Sequence, residues 1–148
     1  MKEAACRGAI EQLLAAFFWK IDRRDTKDIA ELFTADGRLV IPNLADGMKT
    51  TITVAGHEAL TKQWANRPPD LVSRHVFTNL HVRQQSATEA EGRCIGLGFR
   101  HTGPGLGLPR PVIVNDQDDR YERGHDGLWR FKEKRITVTF IEPELLGR

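Results

Sequence analysis

Asp22 and His75 have residue types and local settings that suit acid–base chemistry. Asp22 falls near the end of an amphipathic N-terminal segment, and His75 lies in a run with strand-like patterning, Arg74-His75-Val76-Phe77-Thr78-Asn79-Leu80. A carboxylate that binds one imidazole nitrogen leaves the other nitrogen free to take a proton from a substrate. Because the two residues are far apart in the chain, only the fold can bring them together.

Further polar residues could complete such a site. Strand alternation places Phe77 and Asn79 on the face of His75, and His101 ends an apolar row on the following segment, Ile95, Leu97 and Phe99. One segment later, four polar side chains share a face: Asn115, Gln117, Asp119 and Tyr121. An unpaired buried polar group costs about 1–3 kcal/mol. The polar row therefore predicts either a hydrated cavity, which we favour, or a solvent-facing surface.

These positions suggest roles around a proton-transfer centre. Asn79 and His101 could hydrogen-bond a developing oxyanion or a leaving hydroxide, and Tyr121 or Asn115 could orient the substrate. Four aromatic side chains could supply apolar walls: Phe17, Trp19, Phe77 and Phe99. Trp19 depends on the helical register, which could also place it outside.

Helical spacing marks the first segment, from residue 3 to residue 23. Its apolar residues recur at steps of three and four: Ala9, Ile10, Leu13, Leu14, Phe17, Phe18 and Ile21. Asp22 follows Phe18 by four positions, at the edge of this stripe. A short helix is predicted over 29–33, a turn at 35–37, strands over 38–41 and 51–54, and a second helix over 56–66.

The rest of the chain has β patterning, in four long segments over 71–84, 89–101, 111–123 and 128–141. Helices followed by a long meander indicate an α+β fold, with a strongly curved antiparallel sheet and the N-terminal helices on its concave face. Such a sheet forms a cone that is apolar at its closed end and open to a small molecule at its mouth.

A segment rich in glycine and proline, 103–109, separates the second and third long strands. It could be a lid over the mouth or an ordinary surface loop. Its glycines do not follow a strand and open a helix, so they predict no dinucleotide or phosphate site.

Composition limits the possible functions. The 148 residues carry a formal charge of +2, with basic and acidic residues interspersed, which predicts a single domain over 1–148 and no nucleic-acid partner. No apolar run approaches the roughly 20 residues of a membrane helix, and the stretch from Met1 to Cys6 lacks the apolar core of a secretion signal. We therefore expect a cytoplasmic protein, with Cys6 and Cys94 as reduced packing thiols.

The motifs and their order resemble the polyketide-cyclase-like (SnoaL-like) branch of the nuclear-transport-factor-two-like superfamily. The resemblance rests on four stretches: residues 22–28, residues 32–37 (Leu-Phe-Thr-Ala-Asp-Gly), Arg74-His75 with Asn79, and residues 126–131 (Asp-Gly-Leu-Trp-Arg-Phe). The chain is similar to the scytalone dehydratase and lindane dehydrochlorinase families, which are cofactor-free lyases with an aspartate–histidine dyad. The resemblance implies that Asp22 and His75 are the dyad and that His101 is a second histidine.

The resemblance implies a lyase or isomerase that needs no cofactor and takes a proton from a small hydrophobic substrate. The substrate-binding tyrosines of scytalone dehydratase have no clear match, because Tyr121 is the only tyrosine, so the substrate is not transferred. The same fold also serves as the small subunit of ring-hydroxylating dioxygenases, which leaves a non-catalytic subunit or binding module as the alternative. The family further implies a homo-oligomer, a dimer or a trimer, joined through the outer face of the sheet by Val76, Leu80, Val112 and Val114.

A metal enzyme is a third possibility, with Asp22, His75 and His101 as ligands. No short His-x-His or Glu-x-x-His spacing supports it. We expect no metal.

Overall fold

The computed structural model of this chain describes residues 2–65, 67–108 and 110–146. The α-helices are α1 (Lys2–Arg23) and α2 (His57–Ala65). The strands are β1 (Phe33–Pro42), β2 (Thr51–Ala55), β3 (Val72–Gln84), β4 (Glu89–His101), β5 (Ile113–Arg123) and β6 (Trp129–Ile141). Short 3-10 turns occupy Ile29–Leu32, Leu44–Asp46 and Pro143–Leu145.

The predicted elements are confirmed, with changes at the start of the sheet. The short second helix is a 3-10 turn, and β1 begins at Phe33 rather than at Arg38. The predicted turn at 35–37 is wrong, because these residues lie inside β1, where its register against β6 is irregular between Phe33 and Arg38. A Cβ on Gly37 would lie 2.8 Å from the Phe131 carbonyl oxygen. The turn-like residues therefore allow a close backbone approach within the strand.

The six strands form one curved, unclosed sheet in the order β2-β1-β6-β5-β4-β3. The α+β class is confirmed. The sheet is mixed, however, since β1 and β6 run parallel while the other neighbouring pairs are antiparallel. The chain reaches β6 last and inserts it between β1 and β5. The strand patterns could not predict this pairing, because they fix no partner.

Helix α1 crosses the concave face of the sheet. Phe18 contacts the rings of His75 and Phe77 on β3, and Phe17 contacts Phe33 and Phe131 at the closed end. Helix α2 closes this end, with Leu60 fully buried and Trp64 against Phe17. Burying side chains of this size contributes about 1.5–3 kcal/mol each, so the closed end fixes α1 above the sheet.

An irregularity in β3 reverses which side chains face inward. The register against β4 breaks between Thr78 and His81, and Asn79 has a left-handed backbone with φ of 55°. Asparagine is among the residues that adopt this conformation at modest cost. Before the break, Phe77 packs against the core, and after it Leu80 and Val82 do. The expectations that Asn79 shares the face of His75 and that Leu80 faces outward are therefore wrong.

Among the described residues, no helix combines the length and the apolar character needed to cross a membrane.

Candidate active site

Asp22 and His75 are in direct contact. The Asp22 Oδ1 atom lies 2.6 Å from His75 Nδ1, and its Oδ2 atom accepts a 2.7 Å hydrogen bond from the His75 backbone N–H. The carboxylate therefore binds both the ring and the backbone of the same residue. Only 5% of the Asp22 side chain and 17% of the His75 side chain are exposed.

The end of α1 sets the position of Asp22. Arg24 follows the helix in a left-handed conformation with φ of 61°, and its N–H bonds to the Ile21 carbonyl while that of Asp25 bonds to Lys20. Closing hydrogen bonds of this kind satisfy the last carbonyls of a helix. The Arg24 side chain also donates to the Pro68 and Leu71 carbonyls. These bonds fix the last turn of α1 beside the start of β3.

Two further side chains support the carboxylate, Ser73 directly and Arg67 through Ser73, and sequence reasoning missed both. Ser73 Oγ donates a 2.9 Å hydrogen bond to Asp22 Oδ1. Arg67 donates to Ser73 Oγ at 2.9 Å and to the Ile21 carbonyl at 3.2 Å. Ser73 lies two positions before His75, so strand alternation could have placed it on the same face. No local pattern indicates Arg67, which lies outside the helices and strands.

The hydrogen bonds to Asp22 outweigh its desolvation. Burial acts to raise the pKa of Asp22, but the hydrogen bonds and charge of His75 and the hydroxyl of Ser73 together hold that pKa below its ordinary value. The carboxylate is thus ionised at neutral pH, and a charged acceptor favours a proton on His75 Nδ1.

The other edge of the imidazole remains free. Within the described residues, His75 Nε2 makes no hydrogen bond, while the Phe18 ring stacks on the imidazole at 5.4 Å with an interplanar angle of 13°. Gly98 faces His75 on the neighbouring strand, and a Cβ there would lie 4.0 Å from Nε2. An imidazole held in this way can accept a proton at Nε2 from a molecule lying beside it.

The dyad borders a cavity of about 250 Å³ between α1 and β3. Both members of the dyad line it, together with Arg74 and five apolar side chains: Ala15, Phe18, Trp19, Val76 and Phe77. Two of the four predicted aromatic walls, Trp19 and Phe77, therefore lie beside His75. Trp19 is 53% exposed, and the Arg23 guanidinium lies 4.4 Å from the centre of its ring.

Phe99 and His101 lie elsewhere. In the continuous register of β3 and β4, His75 pairs with Gly98, whereas Phe99 pairs with Arg74 and His101 with Val72. Paired residues point to the same side, so both side chains occupy the face opposite to His75. The prediction that they line one wall with the dyad is wrong, because the inner face of β4 carries Gly96 and Gly98 instead.

The remaining predicted residues are placed away from the imidazole. Phe17 is buried at the closed end, with 2% exposure, and does not line the cavity. Asn79 is exposed at the irregularity of β3. Asn115 lies opposite Gly96, one step inward from the level of His75, and its Oδ1 accepts from Gln117 Nε2 at 3.0 Å. Tyr121 lies at the far end of β5, with 2% exposure.

The polar row of β5 is buried and internally paired. Lys134 on β6 is fully buried, and its Nζ donates to Gln117 Oε1 at 2.7 Å and to Asp119 Oδ2 at 3.0 Å. Tyr121 Oη donates to the same Asp119 oxygen at 3.1 Å. Burial raises the pKa of Asp119, although the Lys134 ammonium opposes this effect. The predicted hydrated cavity is therefore wrong, and Tyr121 serves this network rather than a substrate.

An irregular register concealed Lys134 from sequence reasoning. The pairing of β5 and β6 shifts between Arg120 and Tyr121, so both Phe131 and Lys134 face inward although three positions separate them. Regular alternation would place them on opposite faces. The ammonium lies 4.9 Å from the centre of the Phe131 ring and 5.2 Å from that of Phe17.

No group of three histidine, cysteine, aspartate or glutamate side chains converges to hold a metal ion in the parts of the chain that the structure describes. Both cysteines are buried and unpaired, and burial raises the pKa of Cys94 to about 11. Residues 103–108 form an irregular exposed segment, with a Cβ on Gly107 predicted to meet the His101 ring at 2.8 Å. Pro109 lies outside the described residues, and a lid remains a prediction.

Comparison with known proteins identifies relatives by profile and by fold. A profile of the SnoaL-like domain matches residues 2–135. No curated protein sequence matches the chain.

Three solved structures illustrate the likeness of fold. A candidate scytalone dehydratase from Novosphingobium aromaticivorans is 21% identical, with a TM-score of 0.72 over 89% of this chain and 83% of that one. A hexachlorocyclohexane dehydrochlorinase is 21% identical, with a TM-score of 0.71 over 93% and 87%. The β subunit of a candidate aromatic-ring-hydroxylating dioxygenase, also from N. aromaticivorans, is 16% identical, with a TM-score of 0.79 over 96% and 94%. This fold thus occurs in proteins of different function.

Proposed function

Because this chain belongs to the SnoaL-like domain family, we propose that it is a cofactor-independent lyase or isomerase, in which Asp22 and His75 transfer a proton. One observation carries the proposal: Asp22 binds His75 Nδ1 at 2.6 Å, while Nε2 has no partner among the described residues. Such an imidazole is a general base whose orientation and tautomer are set before substrate binds.

The proposed reaction begins at a carbon made acidic by a neighbouring carbonyl or leaving group. His75 Nε2 takes the proton, and the C–H electron pair moves into the carbon skeleton. In a lyase, that pair forms a double bond and expels hydroxide or halide from the adjacent carbon, and the imidazolium then gives its proton to the departing hydroxide or, after loss of halide, to solvent. In an isomerase, the imidazolium returns the proton to another carbon. The Asp22 carboxylate stabilises the positive charge that His75 carries between the two steps.

The surroundings of the dyad favour a small hydrophobic substrate. The cavity of about 250 Å³ has mainly apolar walls, with Phe18, Trp19 and Phe77 beside the imidazole. The buried Phe18 ring, which stacks on the imidazole, shields the dyad from water on that side, and this strengthens the electrostatic interactions of the dyad. Asn115 is proposed to orient the substrate at the level of Phe77, across Gly96.

Hydrogen–deuterium exchange tests the proposal even when the product is unidentified. Hydroxylated polycyclic, steroidal and halogenated compounds are incubated with the enzyme in D2O, and incorporated deuterium and released product are measured by mass spectrometry. We expect at least one compound to exchange or to react, and His75→Gln to slow that reaction about 10²- to 10⁴-fold. His81→Gln is the matched control, because His81 is an exposed histidine on the same strand. Equal rates in the wild type and His75→Gln would contradict the proposal.

A second candidate function is a non-catalytic subunit of a larger enzyme. The fold likeness to a dioxygenase β subunit, with a TM-score of 0.79, supports it. This function predicts that the chain purifies from its host with an iron-containing larger chain in equal amount. Recovery of the chain alone, together with His75-dependent exchange, would favour the lyase or isomerase.

We also propose that the protein forms a homo-oligomer through the outer face of the sheet. Four apolar residues stand in register across the strands β3, β4, β5 and β6: Val76, Leu97, Val114 and Phe140. Phe140 is 71% exposed and Val76 48%. Burying this row in a second copy would remove apolar surface from water. Light scattering of the wild type and Phe140→Ser tests it, with a monomeric wild type as the contradicting result.

A cytoplasmic location is proposed as well. Both Cys6 and Cys94 are free thiols, which suits a reducing compartment. Fractionation of the host with a tagged chain tests it, and recovery outside the cytoplasm would contradict it.

A further inference from the structure

Arg100 lies on the same face of the sheet as the dyad, one step further toward the mouth. It pairs with Ser73 across β3 and β4, while Gly98 pairs with His75. Gly98 has no side chain, and the Ile113 Cγ2 atom packs over it, 2.5 Å from where a Cβ would stand, so no large side chain from β4 separates the imidazole from Arg100. Diagonal neighbours in an antiparallel pair lie roughly 7–8 Å apart. A small molecule beside His75 is thus within reach of the long Arg100 side chain.

The carboxylate of Asp22 is already fully engaged. Its Oδ1 accepts from Ser73 Oγ and faces His75 Nδ1, and its Oδ2 accepts from the His75 backbone. Arg67 is engaged as well, through Ser73 Oγ and the Ile21 carbonyl.

Arg100 differs from both of these groups. Among the described residues, its guanidinium makes no hydrogen bond and no ion pair, although most arginines of the chain have such a partner. Its pKa is lowered by desolvation, an effect that the charge of Asp22 opposes. Arg100 in turn contributes to the lowered pKa of Arg67, after desolvation. Asp22, Arg67 and Arg100 therefore share one region, and the charge of Arg24 also acts on Arg67 there.

Arg100 is exposed, so its guanidinium is accessible to a ligand, and charged groups with a perturbed pKa concentrate at binding sites. We infer that Arg100 binds a carboxylate of the substrate, which places the acidic C–H of that substrate beside His75 Nε2. The planar guanidinium matches the two oxygens of a carboxylate. Because the two residues are close across the strands, the carboxylate lies only a few bonds from the reacting carbon.

This inference rests on the proposed function for the reaction, but carboxylate binding itself can be tested without turnover. Benzoate and benzamide are matched probes, since they share a flat apolar ring and differ in charge. Titrations followed by NMR report on the Arg100 Nε–H signal and give both dissociation constants. We expect benzoate to bind at least tenfold more tightly than benzamide to the wild type, and to shift this signal.

Three variants isolate the contribution of Arg100. Arg100→Gln is expected to weaken benzoate binding at least tenfold and to leave benzamide binding unchanged. Arg100→Lys keeps the charge and loses the planar guanidinium. Its affinity for benzoate is expected to lie between those of the wild type and Arg100→Gln. Arg120→Gln is the control, because Arg120 is exposed on the outer face and also lacks a hydrogen bond among the described residues. Circular dichroism establishes that each variant is folded.

Equal affinity for the two probes, no benzoate binding by the wild type, or undiminished binding by Arg100→Gln would overturn the inference. His75-dependent exchange of neutral compounds only would also overturn it and would leave the proposed function standing. Conversely, Arg100-dependent benzoate binding without any His75-dependent reaction would refute the proposed function and retain the carboxylate site.

Discussion

Asp22 holds His75 at two points, the ring Nδ1 at 2.6 Å and the backbone N–H at 2.7 Å. The second bond uses an N–H on β3, the last strand in the sheet order. One carboxylate therefore joins the last turn of α1 to the sheet and orients the imidazole. Changes at Asp22 should affect both folding stability and the proposed reaction.

Asp22→Asn should lower the free energy of unfolding by about 1–3 kcal/mol at neutral pH, since it removes the charged acceptor of several hydrogen bonds. The folded pKa of Asp22 lies below its ordinary value of 3.8. Its charge therefore contributes stability above that value, and the contribution is lost as the pH falls through the lower folded pKa. Urea denaturation of both proteins from about pH 3 to about pH 7 spans the titration of aspartate. The difference between their free energies of unfolding should shrink toward acid pH. A difference that is constant with pH would contradict the prediction.

Ser73→Ala should raise the pKa of Asp22, because it removes one of the hydrogen bonds that lower it. It also leaves Arg67 without the Ser73 acceptor. We expect a loss of about 1–2 kcal/mol of stability and a slower proposed reaction at acid pH. Carbon NMR of the Asp22 carboxyl group measures the titration directly.

Ser86→Ala is the control for this variant. Ser86 is exposed in the turn between β3 and β4 and bonds to the Thr88 N–H. Its loss should leave the Asp22 titration unchanged. An unchanged Asp22 titration in Ser73→Ala would show that the serine hydroxyl does not act on the dyad.

Lys134→Met should destabilise the protein by about 3–5 kcal/mol, because it leaves the buried Asp119 carboxylate without its cation. Lys134 Nζ lies 3.0 Å from Asp119 Oδ2 and Lys134 is completely buried. Among the ion pairs of the described residues, this one should therefore matter most for stability. The double variant Lys134→Met with Asp119→Leu should recover most of the loss, since no charge then remains buried. Thermal and urea unfolding of the single and double variants give the coupling energy.

Lys132→Met is the matched control for the ion pair. Lys132 pairs with Asp36 and Glu122 at the surface, where its side chain is 39% exposed. Exposed pairs contribute about 0–1 kcal/mol. A larger loss for Lys132→Met than for Lys134→Met would contradict the importance of the buried network.

Gly98→Ala should overpack the sheet beside the imidazole. The new methyl group would lie 2.5 Å from Ile113 Cγ2 and 3.8 Å from His75 Cδ2. Overpacking of this kind costs about 1–3 kcal/mol, and Ile113→Ala in the same chain should relieve it. Gly8→Ala provides the comparison, because a Cβ at Gly8 meets nothing within 4 Å, and a helical alanine is favoured over glycine. Equal stability of Gly98→Ala and Gly8→Ala would contradict the close packing of Ile113 against Gly98.

The elements and their class could be predicted from residue patterns, because helical and strand periodicities are local properties. The apolar stripe of α1 fixed the position of Asp22 relative to Phe18, and the long β segments agree with β3 to β6 within two residues at either end. The residue types of Asp22 and His75 suggested a dyad, and the resemblance in motif order supported their contact.

The side chains that surround the dyad follow from strand pairing and register, which required the folded chain. The left-handed Asn79 in β3 and the shifted register of β6 exchanged inward and outward positions, so alternation placed Asn79 on the wrong face and missed Lys134. Phe99 and His101 were placed on the wrong face because the residue opposite His75 depends on the register of β3 against β4, which no local pattern encodes. Arg67 and Arg100 approach Asp22 from separate parts of the chain, and their charges act through space rather than along the sequence. Contacts between distant segments depend on pairing and curvature, and these arise only when the whole sheet has formed.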